Sequence, residues 1–349
     1  MTTFAVLMLC ACRTDGSRPS TPSTPSTPAD QQVNKPNPED MLNGTKLYGK
    51  LALADPYIYV DRENSLYYIV GTATPDKGFK AYKSPDLERW VQVDGRAEEG
   101  FVLYKTDVTV YSGGAVYSDK DFWAPELYKV SDWHYLMFYS AAEHVYVAEA
   151  DSPIGPFEQN TLGFTPSSQG IDNSLFIDSN GRAYMYWVRF NNGNVIYVAE
   201  LDESFTSIKT STMRLCFQAT QSWELAMNKI NEGPAVFEHN GLYYMVYSGN
   251  DYRSQDYGVG VATASSPLGP WTKYDDNPIL CRPGGLVGTG HCSVFTDLNG
   301  NLKMVYHAHA SSYVVNPRQT YITDLSFVNV GGVDKLVASP DYTTCYLYK

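Results

Sequence analysis

The sequence predicts an all-β protein, a five-bladed β-propeller of four-stranded antiparallel blades. Three observations lead there. From about residue 45 onward helical periodicity is nearly absent. A strand–turn–strand unit recurs five times, and each unit closes with one more short strand. The units are ADPYIYVDRENSLYYIVGT from Ala54, APELYKVSDWHYLMFYSA from Ala124, IDNSLFIDSNGRAYMYWVR from Ile171, EGPAVFEHNGLYYMVYSG from Glu232 and HCSVFTDLNGNLKMVYHAH from His291.

Three of the turns carry Asn-Gly, the strongest short hairpin signal, because both residues tolerate the positive φ that a tight turn demands. The closing elements are AYKSPDLERW, VAEADSPIGPF, VAELDESFTSI, VATASSPLGPW and TYITDLSF. Repeats of roughly 60 residues with about four strands each read as propeller blades. A single blade cannot bury both faces of its sheet, so the five must stack around an axis. Residues 45–349 are therefore one domain.

What precedes that domain differs in kind. Residues 4–11, FAVLMLCA, form an apolar run too short to span a bilayer and like the core of a secretory signal. Leu9-Cys10-Ala11-Cys12 resembles a bacterial lipobox with Cys12 as the lipidated residue, although no Lys or Arg precedes the run. Residues 1–12 are thus expected to be a signal with a lipobox. Residues 13–44, rich in Ser, Thr and Pro, are expected to form an extended tether that buries no core. An anchor, a tether and then a domain imply work outside the cytoplasm, on the membrane or secreted. No other segment is apolar enough to cross a membrane.

Charge and cysteine content narrow the function. The chain of 349 residues carries a net charge of -12, which repels phosphate backbones and argues against nucleic acid. Its 28 Tyr and 6 Trp supply flat amphipathic rings of the kind that stack on sugars, beside their ordinary use in sheets. Beyond Cys12, the thiols Cys216, Cys281, Cys292 and Cys345 show no metal-type spacing and allow two disulfides or none.

The candidate site follows from register. In a propeller the first strand of each blade lines the central channel, so strand starts converge on one mouth. Four or five residues upstream of Tyr59, Phe176, Phe237 and Phe295 lie Asp55, Asp172, Glu232 and His291. Three carboxylates crowded in a partly desolvated funnel cannot all ionise normally, so one is held protonated near neutral pH. An acid facing a base is what glycosidic hydrolysis needs. No Ser-His-Asp order, P-loop or dinucleotide fingerprint competes.

The stretches ADP of 54–56, FWAPELY of 122–128, IDNSLF of 171–176, NEGP of 231–234 and GTGH of 288–291, in this order, resemble glycoside hydrolase family 43. Its members are five-bladed propellers acting on arabinose- and xylose-containing plant polysaccharides. The resemblance covers essentially the whole domain. It implies an inverting hydrolysis of arabinofuranosyl or xylosyl linkages, with Asp55 as general base, Glu232 as general acid and Asp172 raising the pKa of the acid. It also implies that His291 sits beside a bound calcium, reached through water. Arg318, in NPRQTYI, resembles an arginine that reaches the bound sugar, with a surface ion pair as the plainer reading. The Arg-Asp-Pro and Glu-Cys motifs of the neighbouring retaining, fructan-active propellers do not occur.

Other residues divide. Trp123, just before the Ala-Pro of blade two, reads either as a sugar-stacking ring or as a core residue. Glu126 points elsewhere by period-two alternation and reads as structural. His307 and His309 read as ordinary strand residues, with a metal site shared with His291 as the rarer alternative. Two further functions stay open: a galactofuranosidase or galactosidase of the same fold, and a non-catalytic glycan-binding propeller. Exo or endo action rests on loops whose shape the sequence does not disclose.

Overall fold

Alternation in the second strand of each repeat decides how the blades stack. In His134–Ala141, Leu136 and Phe138 face one neighbour while Met137 and Tyr139 face the other, as the two-residue period of a strand requires. Ala183–Phe190 does the same with Met185 and Trp187 against Tyr184, Tyr186 and Val188. Both faces are apolar, so every blade is sandwiched. The computed structural model describes residues 37–95, 99–108, 119–159 and 169–349. The signal, Cys12 and the tether as far as residue 36 lie outside the described residues.

Among the described residues five sheets form around an axis. Their innermost strands are Ala54–Asp61, Trp123–Ser131, Gly170–Ile177, Asn231–His239 and Gly290–Thr296. Each pairs antiparallel with the strand that follows it, and each packs against the innermost strands of its two neighbours, the fifth closing on the first. Five hydrophobic clusters fill the five gaps between blades. Large side chains dominate them: Trp90, Trp187, Tyr139, Tyr186, Tyr247 and Phe122 are all fully buried. Truncating one, as in Phe138→Ala, is expected to cost about 3–5 kcal/mol.

The blades are less uniform than the repeat suggests. Blades three and four have four strands each, but blade two has three among the described residues, its fourth reduced to a bridge between Glu149 and Glu158. Blade five has five. Blade one has seven, because the C-terminal strand Tyr346–Tyr348 crosses to it, pairing antiparallel with Leu47–Lys50 and parallel with Arg89–Gln92. This joint locks the first and last strands of the propeller together. The end of the expected tether is also folded: Pro38–Leu42 forms a 3-10 turn, and Glu39 pairs with Arg89 at 3.0 Å. Among the described residues Cys216, Cys281, Cys292 and Cys345 are free thiols.

Candidate active site

One backbone irregularity, repeated five times, builds the mouth of the channel. In every innermost strand the pairing slips just after its first residues, between Ala54 and Tyr57, Trp123 and Glu126, Ile171 and Ser174, Glu232 and Ala235, and Gly290 and Ser293. Inside each bulge one residue has a left-handed backbone: Asp55, Ala124, Asp172, Gly233 and His291, with φ of 45–56°. Bulges re-aim side chains where a regular strand would bury them between sheets. Four of these five residues are not glycine, and such backbone strain concentrates at functional sites.

The equivalence explains why the count from the aromatic positions is four for three residues and five for Glu232. Asp55, Asp172 and His291 occupy the bulge position itself. Glu232 stands one residue earlier, level with Ala54, Trp123, Ile171 and Gly290. In blade four the bulge residue is Gly233, whose missing side chain matters: a Cβ there would lie 3.1 Å from the His291 ring.

Asp55, Trp123, Asp172, Glu232, His291 and Arg318 all line one cavity of about 370 Å³, so every expected site residue is brought together. Sequence reading missed Phe190, Asn194, Asp251 and Tyr252, which form much of the remaining wall. A second cavity, of about 490 Å³, shares Trp123, Tyr252 and Arg318 with the first and continues over blade one. Trp123 therefore lines open space and is no core residue. Glu126 does not line the cavity; the Tyr128 hydroxyl donates to it, and burial pushes its carboxyl up to about 8.

Asp55 is 7% exposed. Burial alone would raise its pKa, but Arg318 Nη1 lies 3.0 Å from Oδ1 and holds the carboxyl well below the usual range. His291 and His307 push the same way only if charged, and burial drives both toward their neutral forms, so Arg318 is the lasting cause. Arg318 is itself fixed by stacking over Tyr252, 4.9 Å from the ring centre.

His307 is not an ordinary strand residue. It is fully buried, and its Nδ1 accepts the Asp55 backbone N–H at 3.1 Å. A backbone amide can only donate, so the proton of the neutral ring sits on Nε2. The 3.3 Å approach of Arg318 Nη1 to that Nε2 is then a contact between two donors, and Asp55 is what holds the guanidinium. His309 has a lesser role: its Nε2 donates to the Tyr252 carbonyl at 2.7 Å, steadying the wall. The second strands carry Thr72, Ser140, Val188, Ser248 and His307 at the last regular pair before each bulge, and this is the signal that could have singled out His307.

Glu232 has the opposite environment. Burial pushes its carboxyl up to about 7, against the lowering effect of two donors: Tyr257 Oη at 2.8 Å from Oε1, and Asn194 Nδ2 at 3.0 Å from Oε2. Asp172 is driven well above its usual range by burial, then by the charges of Glu232 and Asp55; the N–H of Gly233, 3.3 Å from Oδ2, is the principal opposing influence. Tyr257 also lies nearly parallel to His307, with ring centres 5.8 Å apart, so the supports of the two carboxyls touch. Gly290 lets that ring approach, since a Cβ there would meet it at 2.3 Å.

For a metal the donor set is poor. Among the described residues no three His, Cys, Asp or Glu side chains are arranged to hold one. His291 directs Nδ1 at Asp55, 3.3 Å away, and at Asp172, 3.9 Å away. His307, His309 and His291 do not form a metal site.

A cavity holding one strongly acidic and one weakly acidic carboxyl is the arrangement of a glycosidase, and comparison with known proteins agrees. The profile of glycosyl hydrolases family 43 matches residues 49–331. The chain belongs to glycosyl hydrolase family 43. The crystal structure of an endo-1,4-β-xylanase from Bacteroides thetaiotaomicron superimposes with a TM-score of 0.77 at 40% identity, covering 87% of this chain and 100% of that one. A β-D-galactofuranosidase of Aspergillus niger is 25% identical over 79% of this chain and 82% of its own length. An extracellular exo-α-(1→5)-L-arabinofuranosidase of Streptomyces avermitilis is 28% identical over 73% of this chain; the match spans 54% of that protein. The chain is accordingly a glycoside hydrolase on a five-bladed propeller, with a carbohydrate substrate.

Proposed function

We propose that this family 43 hydrolase cleaves arabinofuranosyl or xylosyl linkages with inversion, Asp55 serving as general base, Glu232 as general acid and Asp172 as the group that tunes and orients the acid. The observation that carries the reading is the opposite displacement of two carboxyls in one cavity, Asp55 downward and Glu232 to about 7. Near neutral pH the first is ionised while the second still holds a proton in a large fraction of molecules.

The chemistry then follows. The sugar to be cleaved lies between the two carboxyls. Glu232 delivers its proton to the departing glycosidic oxygen, and Asp55 takes one from a water that attacks the anomeric carbon from the opposite face. Tyr257 and Asn194 fix both Glu232 oxygens, so the acid keeps one orientation while it gives up its proton. Arg318 keeps Asp55 ionised, and its Nε, buried and without a partner among the described residues, is an unmet donor beside the cavity. Trp123, Phe190 and Tyr252 supply stacking faces.

Continuity of the two cavities past Trp123, Tyr252 and Arg318 supports a substrate longer than one sugar, bound across the mouth. The name of the Aspergillus niger relative favours a second reading, galactofuranosyl linkages, by the same chemistry. A panel of nitrophenyl glycosides separates the sugars. Proton NMR of the first product tests the mechanism: the anomer opposite to that of the substrate is expected, from carboxyls roughly 6.5–9.5 Å apart. A first product with retained configuration would make Asp55 a nucleophile.

Two further readings belong here. A calcium held through water at the remaining nitrogen of His291 would brace the channel. Anchoring at Cys12 would place the enzyme on the outer side of a membrane, which the extracellular relative supports only as far as export. Cys12→Ala should then move the protein from the membrane fraction to the soluble one, and unchanged fractionation would remove the lipid anchor.

A further inference from the structure

The five bulges carry a second regularity, and one blade breaks it. The residue in the second strand that faces the last regular pair before each bulge is Thr72, Ser140, Val188, Ser248 and His307 in blades one to five. In four of the five blades its side chain accepts the N–H of the bulge residue in the next blade. Thr72 Oγ1 takes Ala124 N at 2.9 Å, Ser140 Oγ takes Asp172 N at 2.9 Å, Ser248 Oγ takes His291 N at 2.7 Å, and His307 Nδ1 takes Asp55 N at 3.1 Å. Blade three has Val188, fully buried and without an acceptor. A buried N–H needs a partner. That of Gly233 finds Oδ2 of Asp172, at 3.3 Å.

We infer that Val188 is a positioning residue for catalysis: by withholding an acceptor, it obliges the backbone of Gly233 to bind the Asp172 carboxylate directly beside Glu232. The inference rests on the assignment of Asp172 as the group that tunes the acid. A hydroxyl at position 188 would occupy the same place as Thr72 and Ser140, whose oxygens already capture the corresponding N–H groups. Asp172 would then lose the hydrogen bond that favours its charged form and would retain its proton more readily. Burial and mutual repulsion raise both carboxyls of this pair, so the proton that the pair retains would shift from Glu232 toward Asp172, and Glu232 would ionise at lower pH and serve less well as an acid.

Val188→Thr tests this, because threonine keeps the branched shape of valine and exchanges one methyl for a hydroxyl whose oxygen can accept the Gly233 N–H. Val188→Ala is the control, since it repacks the site but leaves Gly233 N–H with Asp172. For Val188→Thr, kcat on an oligosaccharide should fall about tenfold, a part of the range general-acid catalysis spans. On a dinitrophenyl glycoside, whose leaving group hardly needs a proton, the fall should be under about twofold. The alkaline limb of its pH–rate profile should move to lower pH, while that of Val188→Ala stays in place.

Equal losses on both substrates, an unmoved alkaline limb, or the same behaviour in both variants would overturn the inference. Failure of the underlying assignment looks different. If Asp172→Asn in the wild-type background leaves the leaving-group dependence unchanged, Asp172 is not the tuner and Val188 has nothing to position.

Discussion

Arg318 Nη1 stands 3.0 Å from Oδ1 of Asp55, an ion pair between side chains 14% and 7% exposed that joins the entry to the third strand of blade five with the bulge of blade one. The pair sets the acidic limit of the enzyme. Asp55 must be ionised to act as base, and Arg318 keeps it so well below the ordinary carboxylate range. Glu232 must be protonated to act as acid, and its carboxyl titrates at about 7. Rate should therefore fall as pH rises through about 7 and hold on the acid side until below about pH 4. Measurement of kcat/KM from pH 3 to 9 checks both limbs. In Arg318→Met, burial acts on Asp55 with its strongest opponent gone, so the acidic limb should move upward; an unmoved limb would mean that Arg318 binds substrate only.

The two carboxyls should separate by leaving group. Asp55→Asn removes the base and should lower hydrolysis of every substrate, by about a thousandfold. Glu232→Gln should cost a similar factor on oligosaccharides but far less on dinitrophenyl glycosides, whose departure needs little protonation. Both changes are isosteric, so the melting temperature should be kept. An equal loss from Glu232→Gln on both substrate types would remove it as the acid.

His307→Ala should damage both stability and rate. It strands the buried N–H of Asp55, at a cost of about 1–3 kcal/mol. The bulge that aims Asp55 at the cavity loosens with it. Thermal melting and kcat, measured together, should both fall. A melting temperature equal to that of the wild type would show that water replaces the ring.

Calcium is tested most directly by melting. A cation near His291 would neutralise part of the charge of Asp55 and Asp172, so exhaustive chelation should lower the melting temperature and added calcium restore it. An unchanged transition would leave His291 as a hydrogen-bonding partner of the carboxylates alone.

Much of this was legible in the chain itself. Blade number follows from hydrophobic alternation and turn chemistry, which are local properties: Tyr-Tyr-Met-Val-Tyr after His-Asn-Gly can only be the second strand of a hairpin with two apolar faces. The convergence of Asp55, Asp172 and Glu232 followed as well, because strand starts in a propeller share one mouth. What the chain could not disclose depends on contacts between blades distant in sequence. The one-residue offset of Glu232 shows in the count from the aromatic positions, but that a bulge sits there, with Glu232 on the last regular pair before it, does not. His307 looked like any strand residue until the Asp55 amide was found on its ring, 252 positions away. Arg318 reaches Asp55 only because the chain closes on itself, with its last strand paired beside its first. Val188 shows the division most sharply: in sequence it is one more apolar strand residue, and only the four polar side chains at its place in the other blades reveal what its lack of an acceptor does.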